Sequence, residues 1–422
     1  LPEPAAVANS SLLLRAAIFH TPGGVLEAHP DGALLIREGK IAYCGDYKTF
    51  PDVETTDLRG GFLLPGFVDA HVHFPQTRII GRLGLTLLDW LHQFALPEEA
   101  RMSDLAYATT VAKDFVQALI ANGTTTALVF GSHFAPATAA LFEQARDLRI
   151  ISGLVLSDRD LLPALHQTPE QAYRESVDLI RRFPNYAVTP RFAVSCSEAM
   201  LEVCQTLVRE HPHVRVHTHI NEHPREIAEV ARLFPWAKDY FGVYERFHLD
   251  RRAVLAHDVH ATPAELERMS AAGVSIAHCP SSNAALASGI FPLRRHLDMG
   301  IHCALGTDIA AGTGFGMLKE ALQAYLMQRV LPEGINLQPG HLLYLATLAG
   351  AEALGFDSET GTLEAGKSAD FVYLRAPEHS PLAAVLERVE HPAEALSALI
   401  AMADSTSIRE VRVCGRALKT DL

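Results

Sequence analysis

The sequence predicts an α/β protein: a (β/α)8 TIM-like barrel joined to a small β-sandwich domain composed of N- and C-terminal segments. Three observations predict it. A pattern of amphipathic helix, Gly or Asn stop and short apolar run recurs through the middle of the chain. Eight such runs can be counted, and six of them end in residues able to do chemistry, where a barrel of this kind carries its active site. Both ends of the chain, by contrast, are rich in short strand patterns and tight turns.

In chain order, residues 1–64 alternate strand-like runs with turns such as "TPGG", "HPDG", "REGK" and "DLRGG". Residues 366–422 resume that style in "GKSADFVYLRA" and "IREVRVCGRAL". Neither piece is large enough to fold alone, so the two are expected to form one composite β-domain. Residues 65–365 would form the barrel. Its strands are read as "FLLPGFVDAHVH", "TTTALVF", "RIISGLVL", "NYAVTPRF", "VRVHTHI", "AVLAHDV", "VSIAHC" and "IHCALGTD". In "SDLAYATTVAKDFVQALIANG", Ser103 is the expected N-cap and Asn122-Gly123 the helix stop. Strands separated by helices imply a parallel sheet, and eight units close it.

The 422 residues are 48% hydrophobic and 20% charged, as in an ordinary globular protein. A net charge of −13 argues against nucleic acid as a partner, because phosphates reward Lys and Arg. No apolar run approaches bilayer length, so no membrane span is expected. The opening "LPEPAAVANSSLLLRAAIF" has no basic stretch before its apolar part, and no signal peptide is read there. The six cysteines include no C-x-x-C pair. That fits free thiols in a reducing, cytoplasmic setting, and it excludes both a cysteine zinc cage and the H-x-E with P-C-x-x-C deaminase site.

His71 and His73 lie two residues apart on the first barrel strand, so their rings share a face. Two buried imidazoles aimed at one spot are costly without a partner, and a metal ion suits both. One His from the fifth strand and Asp308 from the eighth would complete a nitrogen-and-oxygen set fit for Zn²⁺ or Fe²⁺. His217 and His219 share a face in "VRVHTHI", so either can supply the third nitrogen; His219, nearer the strand end, is preferred. His278 is a further ligand candidate or a bonder of backbone groups beneath the site. His133, His223, His260 and the remaining histidines are read as surface or loop residues. Gln76 carries a donor and an acceptor, a pairing suited to an amidine edge. Trp90 and Phe192 are expected to wall a flat pocket.

The landmarks "PGFVDAHVHFPQ", "LLDWL", "NGTTTA", "TPRFAVSCSE", "HINE", "LAH", "SIAHCPSSN" and "LGTD" together resemble the amidohydrolase superfamily, and within it the guanine deaminases. The likeness runs through nearly the whole chain. It implies that His71, His73, His219 and Asp308 hold one metal, Zn²⁺ or else Fe²⁺, and that His257 and Asp308 attend the attacking water. It also implies that Glu222 shuttles protons and that Arg191, which has a plainer reading as the partner of a nearby acid, bonds the purine O6, with His73, Gln76, Trp90, Phe192, His219 and Glu222 around the base. Relatives with two metals bridge them by a lysine at the fourth strand; "TPRFAV" has Arg191 and no lysine there, which favours one metal. "THINEH" and "AHDVH" depart from the commoner pattern without touching a ligand. Glu222 has a plainer reading as a cap for the next helix, and its spacing from His219 favours the proton role. The implied activity is hydrolysis of guanine to xanthine and ammonia by a homodimer. Its rivals are another purine, adenosine-like or triazine aminohydrolase and a non-catalytic scaffold, whose metal set should be broken.

Overall fold

The structure, a computed structural model, describes residues 11–418. Expectations that fall on residues 1–10 and 419–422 lie outside the described residues. The strands in chain order are β1 (Leu12–His20), β2 (Glu27–Arg37), β3 (Lys40–Asp46), β4 (Thr55–Pro65), β5 (Phe67–His73), β6 (Thr124–Phe130), β7 (Arg149–Gly153) and β8 (Val155–Leu156). They continue as β9 (Ala187–Pro190), β10 (Arg215–Ile220), β11 (Ala253–His257), β12 (Ser275–His278), β13 (His302–Leu305), β14 (Phe371–Leu374), β15 (Ile408–Val413) and β16 (Arg416–Leu418).

Strands from both ends of the chain share one seven-stranded mixed sheet, in the order β16-β15-β14-β4-β1-β2-β3. The central strands run parallel in two arcs, β5-β6-β7 and β8-β9-β10-β11-β12-β13, with helices between them in sequence. A parallel bridge from Ser152 to Tyr186 joins the arcs on one side. On the other, Asp308 N donates to His71 O at 2.8 Å and His73 N to Ile309 O at 3.1 Å. This is a TIM-barrel-like α/β fold. Its interior strands are buried along their length, as β6 shows, and β-branched residues suit that setting.

Two of the expected runs are interrupted where backbones come close. "FLLPGFVDAHVH" divides at Gly66 into β4, which belongs to the seven-stranded sheet, and β5, which belongs to the barrel. A Cβ on Gly66 would sit 2.2 Å from Thr125 Oγ1, so only glycine lets the chain pass between the two sheets there. "RIISGLVL" divides after Gly153, where a Cβ would meet Ala187 O at 1.8 Å. The helix Leu105–Ala121 is capped by Asp104, which accepts from Ala106 N and Tyr107 N, rather than by Ser103. Its stop is as expected: Asn122 is the C-cap, followed by Gly123 at φ +79°. All six cysteines are free. Among the described residues no helix is long and apolar enough to cross a membrane.

Candidate active site

Five side chains from four strand ends converge at one mouth of the barrel. His71 and His73 come from β5, His219 from β10, His257 from the last position of β11, and Asp308 from three residues beyond β13. Short contacts tie them together. His71 Nε2 lies 3.1 Å from Asp308 Oδ1 and 3.2 Å from His73 Nε2. His73 Nε2 lies 3.3 Å from Asp308 Oδ1 and 3.2 Å from His219 Nε2. His71, His219, His257 and Asp308 also form a set whose ligand atoms all lie within 4.8 Å of one another. The backbone is unusual here: Asn221, His257, Asp258 and Asp308 all have positive φ, between 48° and 76°. Left-handed conformations at non-glycine residues cost energy and gather at functional sites.

Proton placement decides whether a cation fits. His219 Nδ1 lies 2.6 Å from the Arg191 carbonyl, so that nitrogen carries the hydrogen and Nε2 keeps its lone pair. Burial lowers His71 and takes His73 down to about 4 and His219 far below an ordinary imidazole, so these rings are neutral at pH 7. The Nε2 atoms of His71 and His219 each lie 3.2 Å from that of His73, and those of His71 and His73 lie 3.1 and 3.3 Å from Asp308 Oδ1, so three neutral rings crowd one carboxylate. His257 Nε2 is buried and has no hydrogen-bond partner, while its Nδ1 faces Asn283 Oδ1 at 2.9 Å. One divalent cation relieves all of these lone pairs, and the donor set is one that such ions take.

Above the cluster is a cavity. It is lined by His73, Gln76, Trp90, Arg191, Phe192, His219, Glu222, His257 and Asp308, together with Leu87, Leu91, Leu286 and Ala311. Every site residue expected from the sequence therefore reaches it except His71, which lies fully buried. Trp90 presents only its ring, because its Nε1 donates to the Arg82 carbonyl at 2.9 Å. Glu222 does not cap the helix Pro224–Leu233; His223 and Glu226 do that. Its carboxyl accepts from Ser288 Oγ at 3.0 Å and stands 3.4 Å from His257 Nε2. Burial, with the nearby Asp308 charge, pushes Glu222 up to about 8, so it holds a proton at neutral pH.

Sequence reading missed the groups that hold these residues in place. Glu99 is buried at the end of the helical stretch that also carries Trp90: Leu87–Trp90, a π-turn at Leu91–Ala95, then Leu96–Ala100. It accepts from Gln76 Nε2 at 2.8 Å and from Arg191 Nη1 at 2.5 Å. Gln76 Oε1 accepts from Ala310 N at 3.1 Å, so the amide is held in one orientation with one N–H and one oxygen lone pair left over. Ser282 Oγ donates to Asp308 at 2.5 Å, and Asn283 holds His257. Both lie in "CPSSN", the only sequence signal for them. His217 is a fully buried ring 2.7 Å from His71 Nδ1, a layer beneath the site. His278 stacks on Phe291 at 4.5 Å, and neither ring nitrogen has a partner. The reading of the other histidines as surface or loop groups needs correction at three positions. His133 is in a loop yet buried 3.5 Å from Glu99, His296 is buried against Asp258 at 2.9 Å, and His20 is buried in β1. Helical and strand periodicity cannot report such burial when the partner is remote in sequence.

Residues 62–418 match the Amidohydrolase family. A probable guanine deaminase of Deinococcus radiodurans is 50% identical, over 96% of this chain and 97% of that protein. A solved structure of E. coli guanine deaminase is similar with a TM-score of 0.93 and 36% identity, covering 97% of this chain and all of that one. The guanine deaminase of C. acetobutylicum, solved with guanine bound in its active site, gives 0.91 and 25% over 97% of this chain and all of its own.

Proposed function

The chain belongs to the amidohydrolase family, and we propose that it hydrolyses guanine to xanthine and ammonia. The observation that carries the reading is the junction of two features in one cavity: a divalent-metal cluster on its floor, and Arg191 with Gln76 on its wall. A cavity walled by Trp90, Phe192 and leucines suits a flat base. A scaffold protein would have no use for an intact ligand set.

His71, His73, His219 and Asp308 would hold one ion per chain, and their three nitrogens and one carboxylate suit Zn²⁺ ahead of Fe²⁺. The ion's chemistry there is to bring the pKa of water down from about 15.7 to about 7, so that hydroxide is available at neutral pH. Asp308 and His257 orient the water and accept its proton. Attack forms a C2–O bond and pushes charge onto the adjacent ring nitrogen. Glu222, protonated at neutral pH, donates to that nitrogen, takes up the hydroxyl proton of the C2 adduct as the carbonyl forms, and passes it to the exocyclic nitrogen as the C2–N bond breaks and ammonia leaves. The proton held by Asp308 or His257 then restores Glu222. Arg191 donates to O6, Gln76 to a ring acceptor, and Phe192 and Trp90 confine the ring plane.

The same reading divides the chain into 1–64 and 366–422 as the β-domain and 65–365 as the barrel. Strand alternation supports a sandwich-like layering of the β-domain, with Leu13 and Leu35 in one apolar cluster and Leu14, Leu34 and Ile36 in another. A cytoplasmic homodimer is part of the proposal too. Ammonia release from guanine, adenine, cytosine and a triazine tests the activity. A protein that ignores guanine and turns over another of these refutes the substrate, and one with no activity after metal loading refutes the enzyme.

A further inference from the structure

Glu99 joins the two polar groups of the cavity wall. Its Oε1 accepts from Gln76 Nε2 at 2.8 Å and its Oε2 from Arg191 Nη1 at 2.5 Å. Those partners lie 23 and 92 residues away in sequence, on different strand-end loops, and all three residues are at most 3% exposed. Glu99 itself does not line the cavity; Gln76 and Arg191 do. An unpaired carboxylate at this depth would be costly, so the pairing is strongly enforced.

The chemistry of the arrangement has one consequence. A glutamine amide can face a pocket with its oxygen or its nitrogen. Here the Ala310 N–H claims the oxygen and the Glu99 carboxylate claims the nitrogen, so a flip would set donor against donor and acceptor against acceptor. These two bonds fix the orientation of the Gln76 amide and leave it one further N–H and one oxygen lone pair. Arg191 has donors only, and Glu99 takes one of them. Opposite Arg191 the cavity therefore offers hydrogens and no lone pairs. That position suits a carbonyl oxygen of the base, and it repels an amino group there.

We infer that Glu99 is a positioning residue for substrate choice: by fixing the Gln76 amide and holding the donor-only Arg191 in place it makes the site select a 6-oxo over a 6-amino purine. The inference rests on the functional reading above. The sharpest comparison is guanine with 2,6-diaminopurine, which share the reacting 2-amino group and differ at C6. In Glu99→Gln one N–H of the new amide must face a donor of Gln76 or of Arg191, so one of them loses its alignment. The metal ligands are untouched.

Guanine kcat/KM and the inhibition constant of 2,6-diaminopurine are measured in metal-loaded wild type, Glu99→Gln and Glu99→Asp. We expect Glu99→Gln to lower guanine kcat/KM roughly 10²-fold, mainly through KM. Inhibition by 2,6-diaminopurine should be unchanged or tighter, with full metal content. Glu99→Asp, which keeps the charge with shorter reach, should recover part of the loss. Guanine kcat/KM within about threefold of wild type overturns the inference. So does equal weakening of both purines, which marks a loosened cavity. If Glu99→Gln does not fold, Gln76→Leu and Glu99→Asp must shift the same preference, and an unshifted ratio in both overturns it. A wild type that ignores guanine refutes the functional reading instead. The inference is then decided on the base that the wild type does take, where an unaltered kcat/KM in Glu99→Gln defeats it.

Discussion

Glu222→Gln separates proton transfer from metal holding. Glu222 is 2% exposed, accepts from Ser288 Oγ at 3.0 Å and lies 3.4 Å from His257 Nε2. Burial, and then the Asp308 charge, raise it from 4.5 to about 8. At pH 7 the protonated form is therefore favoured roughly tenfold in metal-free protein. Glutamine copies the shape of that neutral acid and keeps a donor, so ligand geometry should survive. What it removes is proton exchange, worth about 10²- to 10⁴-fold in turnover, or roughly 3–5 kcal/mol of barrier. Steady-state ammonia release, with metal quantified on the same preparation, reads the effect. Metal-free stability supplies a second readout with a definite sign. The folded pKa lies above the unfolded one, so between about 4.5 and 8 the native state keeps a proton that the unfolded chain has lost. Stability from this group is complete below that window and falls as pH rises through it, by at most about 1.4 kcal/mol per unit. The denaturation midpoint of Glu222→Gln should thus gain on wild type from pH 5 to pH 8. Turnover within tenfold of wild type at full metal occupancy, or loss of the metal, would refute the assignment.

Elemental analysis should find one transition-metal ion per chain, and chelation should abolish ammonia release, with recovery on Zn²⁺ addition; two equivalents would contradict the site as drawn. His219→Ala should lose metal and activity together, whereas His217→Ala, a layer below, should weaken metal retention through His71 and leave measurable turnover. Arg191→Leu should retain metal and lower guanine kcat/KM by roughly 10²-fold or more; a rate near wild type removes Arg191 from substrate binding. Glu320, buried and bonded by Ser281 Oγ at 2.7 Å, is pushed up to about 8 by its burial. As for Glu222, stability from Glu320 is lost between about pH 4.5 and 8, so urea midpoints of Glu320→Gln should rise relative to wild type across that range. Parallel curves for the two proteins would show that Glu320 is ionised in the fold.

The barrel and the floor of the site were legible in the sequence because they rest on local rules. A period of two puts His71 and His73 on one face of β5 whatever surrounds them. Short β-branched runs between helical patterns imply parallel strands, and chemistry placed at strand ends implies a common mouth. From these, every lining residue that was expected reaches the cavity, with His71 beneath. Local rules also erred locally. Gly66 and Gly153 interrupt runs that read as continuous, because the crowding that requires glycine comes from Thr125 and Ala187, which are remote or on other strands.

What the sequence by itself determined is the inventory: which groups stand at strand ends, what ions and protons they can take, and which family pattern they fit. Only the tertiary structure decided their states. "LPEEA" is unremarkable as a helical segment, yet Glu99 meets Arg191 and Gln76 across the barrel mouth and fixes the orientation of both. Glu222 becomes an acid at neutral pH because the barrel excludes water from it and sets Asp308 nearby. His133 becomes a core ring beside Glu99 although its loop reads as surface. Hydrogen-bond orientation and pKa depend on distance and dielectric, and for these residues both are set by partners tens of positions away. No window of sequence contains them.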